Sequence, residues 1–219
     1  GDIIYEKKAH KPTAPSSMSK LMTSYVVFEY LANGHINMDD EFEISKKAWS
    51  KGGSRMFVNL GSKVKVKDLL LGMIVQSGND ATIALAEGIA GSEEEFSAML
   101  NQKAKDLGLK ETHLANSTGW PDKKHKMSAY DLAKLSRILL REYPQYYKFF
   151  GIKDYQYNKI RQNNRNSLLF SSALKVDGIK TGHADEAGFS AVLSAMRGGR
   201  RLIAVVYGTR SLNDRSMAG

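Results

Sequence analysis

Gly188-Phe189-Ser190-Ala191-Val192-Leu193-Ser194-Ala195-Met196-Arg197-Gly198-Gly199-Arg200-Arg201-Leu202-Ile203-Ala204-Val205-Val206-Tyr207 is the stretch that decides the fold class. Its two halves, 188–196 and 202–207, are strand-like runs, and Arg197-Gly198-Gly199-Arg200 between them predicts a hairpin turn. Residues 176–180 read as one more strand just upstream. At the other end of the chain, Ile3-Ile4-Tyr5 reads as a short strand within 1–7, followed by loop over 10–15.

The middle of the chain follows a helical period instead. Met18, Leu21, Met22, Tyr25, Val26 and Phe28 recur at helix spacing after Ser16-Ser17, and Asn33-Gly34 supplies a stop. Residues 41–45 alternate like a strand, and Lys51-Gly52-Gly53-Ser54 is a flexible turn. Two apolar helices are predicted at 66–75 and 81–89, broken by the polar loop Gln76-Ser77-Gly78-Asn79-Asp80, where Asp80 reads as a helix cap. Ser92 with Glu95 forms a capping box for a helix to about Leu107, closed by Gly108, and Ser128 opens another through Leu140. Strands at both chain ends with helices between them predict an α+β fold, an antiparallel sheet built from both ends and covered by helices.

Composition narrows the chemistry. With 219 residues, 42% hydrophobic, the chain is long enough for one globular domain with a substantial core. Absence of cysteine removes disulfides, thiolate metal sites and cysteine nucleophiles. Five histidines without a His-Glu-x-x-His spacing give no metal ligand set. No segment approaches the roughly 18 apolar residues of a membrane span. The net charge of +9 would suit a polyanion, but the basic residues are scattered and no nucleic-acid motif accompanies them, so they read as solvated surface.

Three short clusters carry the chemistry. Ser17-Met18-Ser19-Lys20 sets a hydroxyl and an amine about 300° and ~4.5 Å apart on a helix, close enough to meet on one face. Lys20 then serves as the base for Ser17, provided burial and a second cation lower its pKa. The Ser17 N–H, at a helix start, is available to an oxyanion. Taken alone, the pattern means little, and a capping serine beside a surface lysine is its ordinary reading. In Ser77-Gly78-Asn79, Ser77 is placed to relay a proton and Asn79 to hold a peptide, or both simply bond the local backbone. Lys180-Thr181-Gly182 ends a strand. There Lys180 and Thr181 suit a carboxylate, Gly182 permits close approach to the strand edge, and the His183 N–H would be a second oxyanion donor, or the cluster is a polar strand end.

The three occur together in the order Ser-x-x-Lys, Ser-x-Asn, Lys-Thr-Gly, a motif set of penicillin-recognising serine enzymes. Through these, and through Gly1-Asp2-Ile3-Ile4-Tyr5, residues 17–26, Gln76-Ser77-Gly78-Asn79-Asp80-Ala81, Arg161-Gln162-Asn163-Asn164-Arg165-Asn166 and Val176-Asp177-Gly178-Ile179-Lys180-Thr181-Gly182-His183, the chain resembles the low-molecular-mass D-alanyl-D-alanine carboxypeptidases, the penicillin-binding protein 5 type. That resemblance implies a β-lactamase/transpeptidase-like fold with an inserted, mainly helical subdomain. It implies Ser17, Lys20 and Ser77 as the catalytic residues, with Asn79, Lys180, Thr181, Gly182, His183, Arg215 and Arg165 binding the substrate. Arg165 could equally brace the Lys-Thr-Gly strand.

The implied reaction removes the terminal D-alanine from peptidoglycan stem peptides through a serine acyl-enzyme, without metal or cofactor, and β-lactams acylate the same serine. The implied location is periplasmic or otherwise extracytoplasmic, with the full-length protein associated with the inner membrane. Relatives carry a strand before Gly1, a long helix after Gly219, a C-terminal β domain and an amphipathic anchoring helix. The chain is therefore expected to be a single catalytic domain, 1–219, without them, so membrane attachment belongs to those segments. Two rivals stay open. A class A-like β-lactamase requires a glutamate in a Glu-x-x-x-Asn-type segment, and no glutamate lies between Glu142 and Glu186. A non-catalytic penicillin-sensing or wall-binding domain would keep the cleft without the reaction.

Overall fold

The computed structural model describes residues 1–185 and 187–219. A 3₁₀ turn, Ser16–Ser19, runs directly into α1, Lys20–Ala32. Next come β1 (Glu41–Glu43), α2 (Lys46–Ser50), β2 (Lys63–Lys65), α3 (Val66–Val75), α4 (Asn79–Ala90), α5 (Glu93–Asp106) and α6 (Ala129–Glu142). The remainder holds α7 (Pro144–Tyr147), β3 (Asp154–Tyr157), β4 (Ile160–Asn163), β5 (Val176–Ala184), β6 (Gly188–Arg197), β7 (Arg200–Thr209) and α8 (Leu212–Ala218).

Residues 20–28 of α1 are all buried, as expected of a helix with apolar side chains on most of its circumference. Leu21, Met22, Val26, Val27 and Phe28 join one core with Leu69, Leu70 and Met73 of α3, Ile83 and Leu85 of α4, and Leu132, Leu135 and Leu139 of α6. Each such side chain contributes roughly 1.5–3 kcal/mol by leaving water. Lys20, Thr23 and Ser24 are the polar members of the 20–28 stretch, and the Lys20 side chain has no exposed surface.

The helix ends follow their capping residues. Ser92 accepts the Glu95 N–H at 3.1 Å, and Gly108 closes the end of α5 with φ +65°. Ser128 accepts the Asp131 N–H at 3.0 Å. Ser45, expected at the end of a strand, instead caps α2 by accepting the Ala48 N–H at 3.0 Å, and β1 stops at Glu43.

The main sheet is antiparallel in the order β5-β6-β7, with Lys180 opposite Val192 and Leu193 opposite Ala204. Gly198 and Gly199 make the hairpin with φ +56° and +75°, a region open mainly to glycine. The helices-then-sheet pattern is the expected α+β class. The strand expected at Ile3-Ile4-Tyr5 does not form, because an extended segment becomes a strand only through ladder bonds and these residues pair with none of the described strands. They stand 61%, 82% and 79% exposed, and the sheet comes wholly from the C-terminal part of the chain.

A second feature positions the site. The β3–β4 hairpin, turning at Asn158-Lys159, donates from Gln162 to the Arg55 carbonyl and from Asn158 to the Phe57 carbonyl. From the other side the buried Asp80 carboxylate accepts the N–H groups of Met56 at 2.9 Å, Phe57 at 2.9 Å and Val58 at 3.3 Å. Asp80 therefore braces the 56–58 segment, a larger task than capping α4. No helix among the described residues is long and apolar enough to cross a membrane.

Candidate active site

Ser17 lies in the 3₁₀ turn at the mouth of α1 and Lys20 is the first residue of the helix. In a 3₁₀ turn residues i and i+3 eclipse, so the serine stands directly over the lysine. Lys20 Nζ is 2.9 Å from Ser17 Oγ, 2.7 Å from Asn79 Oδ1 and 2.6 Å from the Thr118 carbonyl oxygen. Burial first, and then the charge of Lys180, hold the Lys20 amine well below the ordinary lysine pKa, while Asp80 and Glu93 act in the opposite direction.

The second motif reaches the same point from the α3–α4 corner. Asn79 opens α4 and divides its amide: the oxygen accepts from Lys20 and the nitrogen donates to the Gly52 carbonyl at 2.9 Å. Ser77 holds a left-handed φ of +59°, uncommon for a residue with a Cβ and costing on the order of 1 kcal/mol. Its Oγ accepts from Lys180 Nζ at 2.9 Å. Ser17, Lys20 and Asn79 thus form one hydrogen-bonded group joining the 3₁₀ turn, α1 and α4, and Ser77 with Lys180 forms a second that joins the α3–α4 corner to β5.

Lys180 and Thr181 are buried on the edge strand β5, and burial, then Arg165 and Arg215, bring the Lys180 pKa down to about 7. Arg215 of α8 is only 5% exposed and donates to the Arg165 carbonyl at 3.2 Å, whereas the Arg165 side chain is exposed. Lys180, Arg215 and Arg165 therefore make up the cationic part of the site. His183 stands exposed near the end of β5, stacked on Phe189 at 4.2 Å.

Gly182 is required by packing. A Cβ there would sit 2.8 Å from the Pro15 carbonyl oxygen and 3.2 Å and 3.3 Å from Met18 and Ser16, so the close approach it permits is that of β5 to the turn bearing Ser17. Gly119 plays the same part from the far side, with φ +84° and the Ser16 carbonyl where its Cβ would be. Two partners of the site lie outside the three motifs. The Thr118 carbonyl is a backbone group, which no side-chain pattern announces. Glu93 was legible only as the first residue after a cap. The signal that could have drawn attention to this segment is Asn116-Ser117-Thr118-Gly119, a polar loop ending in glycine between two helices.

A family model described as D-alanyl-D-alanine carboxypeptidase matches residues 1–211. The chain belongs to the D-alanyl-D-alanine carboxypeptidase family. Among its relatives in this family is D-alanyl-D-alanine carboxypeptidase DacD of Salmonella typhimurium, 42% identical over 98% of this chain and 57% of the relative. The chain thus spans little more than half the length of that protein. Penicillin binding protein 6B from Escherichia coli superposes with a TM-score of 0.95 at 42% identity, covering all of this chain and 71% of the other. Penicillin-Binding Protein D2 from Listeria monocytogenes, solved in an ampicillin-bound form, gives 0.89 at 28% identity, over all of this chain and 88% of that one. The fold is accordingly that of the carboxypeptidase family's penicillin-binding members.

Proposed function

We propose that this chain is the single catalytic domain of a serine-type D-Ala-D-Ala carboxypeptidase of the bacterial cell wall, acting outside the cytoplasm on peptidoglycan stem peptides and acylated by β-lactams. The observation that carries the reading is Lys20 Nζ, fully buried and 2.9 Å from Ser17 Oγ. A buried amine whose pKa is lowered first by burial and then by the charge of Lys180 is neutral over part of the accessible pH range, and only a neutral amine accepts a proton.

Ser17 Oγ gives its proton to Lys20 and bonds to the carbonyl carbon between the two terminal D-alanines. The N–H groups of Ser17 and His183 receive the oxyanion. The proton then passes by way of Ser77 to the leaving amine, the C–N bond breaks and D-alanine departs with its carboxylate. Water attacks the Ser17 ester by the reverse proton path and frees both the shortened peptide and the hydroxyl. Lys180, Thr181, Arg215 and Arg165 form the end of the cleft that suits the terminal carboxylate, with Arg215 and Arg165 the cations facing Lys180. Asn79 bridges Lys20 and the Gly52 carbonyl and holds the wall facing Ser17.

A pentapeptide stem ending in D-Ala-D-Ala tests the reading. Free D-alanine is expected from the native chain, and Ser17→Ala is expected to release it at least about 10³-fold more slowly. Equal release by both proteins would refute it, and no release by either would favour a non-catalytic sensing domain.

A further inference from the structure

A neutral amine has two N–H groups and one lone pair. At Lys20, Asn79 Oδ1 at 2.7 Å and the Thr118 carbonyl at 2.6 Å take the two N–H groups, which leaves the lone pair aimed at Ser17 Oγ, 2.9 Å away. If either acceptor moves, the lone pair turns from the serine. Asn79 is fixed at the start of α4. Thr118 sits in a loop, and its carbonyl keeps its place through what holds its neighbours.

Glu93, the first residue of α5, supplies that hold from a buried position, 6% exposed. Its Oε1 accepts from Ser117 Oγ at 2.7 Å and from the Ser117 N–H at 3.2 Å. Its Oε2 is 3.0 Å from Lys47 Nζ of α2. The Ser117 carbonyl accepts from Thr23 Oγ1 of α1 at 2.8 Å, which ties the loop to the helix that carries Lys20. On the other flank Asn116 Oδ1 accepts the N–H groups of Thr118, Gly119 and Trp120 at 3.2, 2.8 and 3.0 Å. The Asn116 contacts fold the loop on itself, whereas the Glu93 and Thr23 contacts join it to the helices.

We infer that Glu93 is a positioning residue for the candidate base: through Ser117 it fixes the Thr118 carbonyl that aims the Lys20 lone pair at Ser17. The inference rests on the acyl-enzyme reading above. The carboxylate has a second effect through space. Lys20 is faced by Lys180 of β5, Asp80 of α4, Glu93 of α5 and Lys51 beyond α2, with the imidazole of His125 nearby. Of these, Asp80 and Glu93 hold its proton affinity up.

The test is the acylation rate of the whole chain by penicillin G across pH, for the native protein, Glu93→Ala, Glu93→Gln and Ser117→Ala. Glu93→Ala is expected to lower the plateau rate about tenfold or more, since a displaced base costs factors of that order. Glu93→Gln keeps the acceptor for Ser117 and removes the charge. It is expected to restore the plateau while moving the acid limb to lower pH, a pattern that a merely structural role would not give. Ser117→Ala, which removes one of the two hydrogen bonds to the carboxylate, is expected to lower the plateau by a smaller factor, and it decides the matter should Glu93→Ala not fold. A native plateau in Glu93→Ala or in Ser117→Ala would overturn the inference, as would an unmoved acid limb in Glu93→Gln. Failure of the native chain to form any adduct would instead overturn the acyl-enzyme reading beneath it.

Discussion

Lys20 and Lys180 are two buried amines, each within reach of the other's charge, and the proposed reaction asks opposite things of them. Lys20 must be neutral to take the Ser17 proton, so acylation is expected to rise with pH through its lowered pKa. Lys180 must be protonated to hold a carboxylate, and burial beside Arg165 and Arg215 brings its pKa down to about 7. The value of kcat/KM for D-alanine release is therefore expected to fall again as pH rises past neutrality. The two limbs belong to the coupled pair. A profile that stays flat to pH 9 would contradict this assignment. The same residues mark what was legible in the sequence. Ser17, Lys20, Ser77, Asn79 and Lys180 announced themselves as side chains at fixed spacings, and the structure joins Ser17, Lys20 and Asn79 in one hydrogen-bonded group and Ser77 with Lys180 in another. The Thr118 carbonyl could not announce itself, because every residue has a carbonyl and only the fold selects this one.

At the scale of elements, the site exists because a strand and a turn touch. β5 lies against Ser16–Ser19 at Gly182, where no Cβ fits without pushing the Pro15 carbonyl. Gly182→Ala is expected to slow acylation about 10- to 100-fold, since small displacements of a nucleophile carry penalties of that size, and to cost about 1–3 kcal/mol of stability. Acylation rates and urea titrations of the two proteins would measure both, and a native acylation rate would contradict the packing role. Helices bounded by Ser92, Gly108, Ser128 and Asn33-Gly34 could be read in advance because capping is local chemistry. The segment Ile3-Ile4-Tyr5 and the β3–β4 hairpin could not. Whether a short apolar run becomes a strand depends on a partner elsewhere, and Asp80 in turn serves a segment 22 to 24 residues away.

For the molecule as a whole, two buried lysines are a cost to folding. The unfolded chain holds the Lys180 proton up to the ordinary value near 10.5, but the folded chain releases it near 7. Between these values the unfolded state binds more protons, so this group makes stability rise with pH over that window and leaves a constant penalty below it. Lys20 acts in the same direction. Urea unfolding at pH 7.5 and 9.5 is expected to show a pH-dependent gain that shrinks in Lys180→Met, with the Lys180 contribution on the order of a few kcal/mol across its full window. An unchanged pH dependence in Lys180→Met would contradict the burial of a largely neutral amine. Placing charge in the interior at such a cost is understandable where the charge serves a reaction. The most direct test of that reaction is the intact mass of the native chain and of Ser17→Ala after incubation with penicillin G. One adduct of the whole drug's mass on the native chain, persisting for minutes, and none on Ser17→Ala is the expected result. An adduct on both proteins, or on neither, would contradict it.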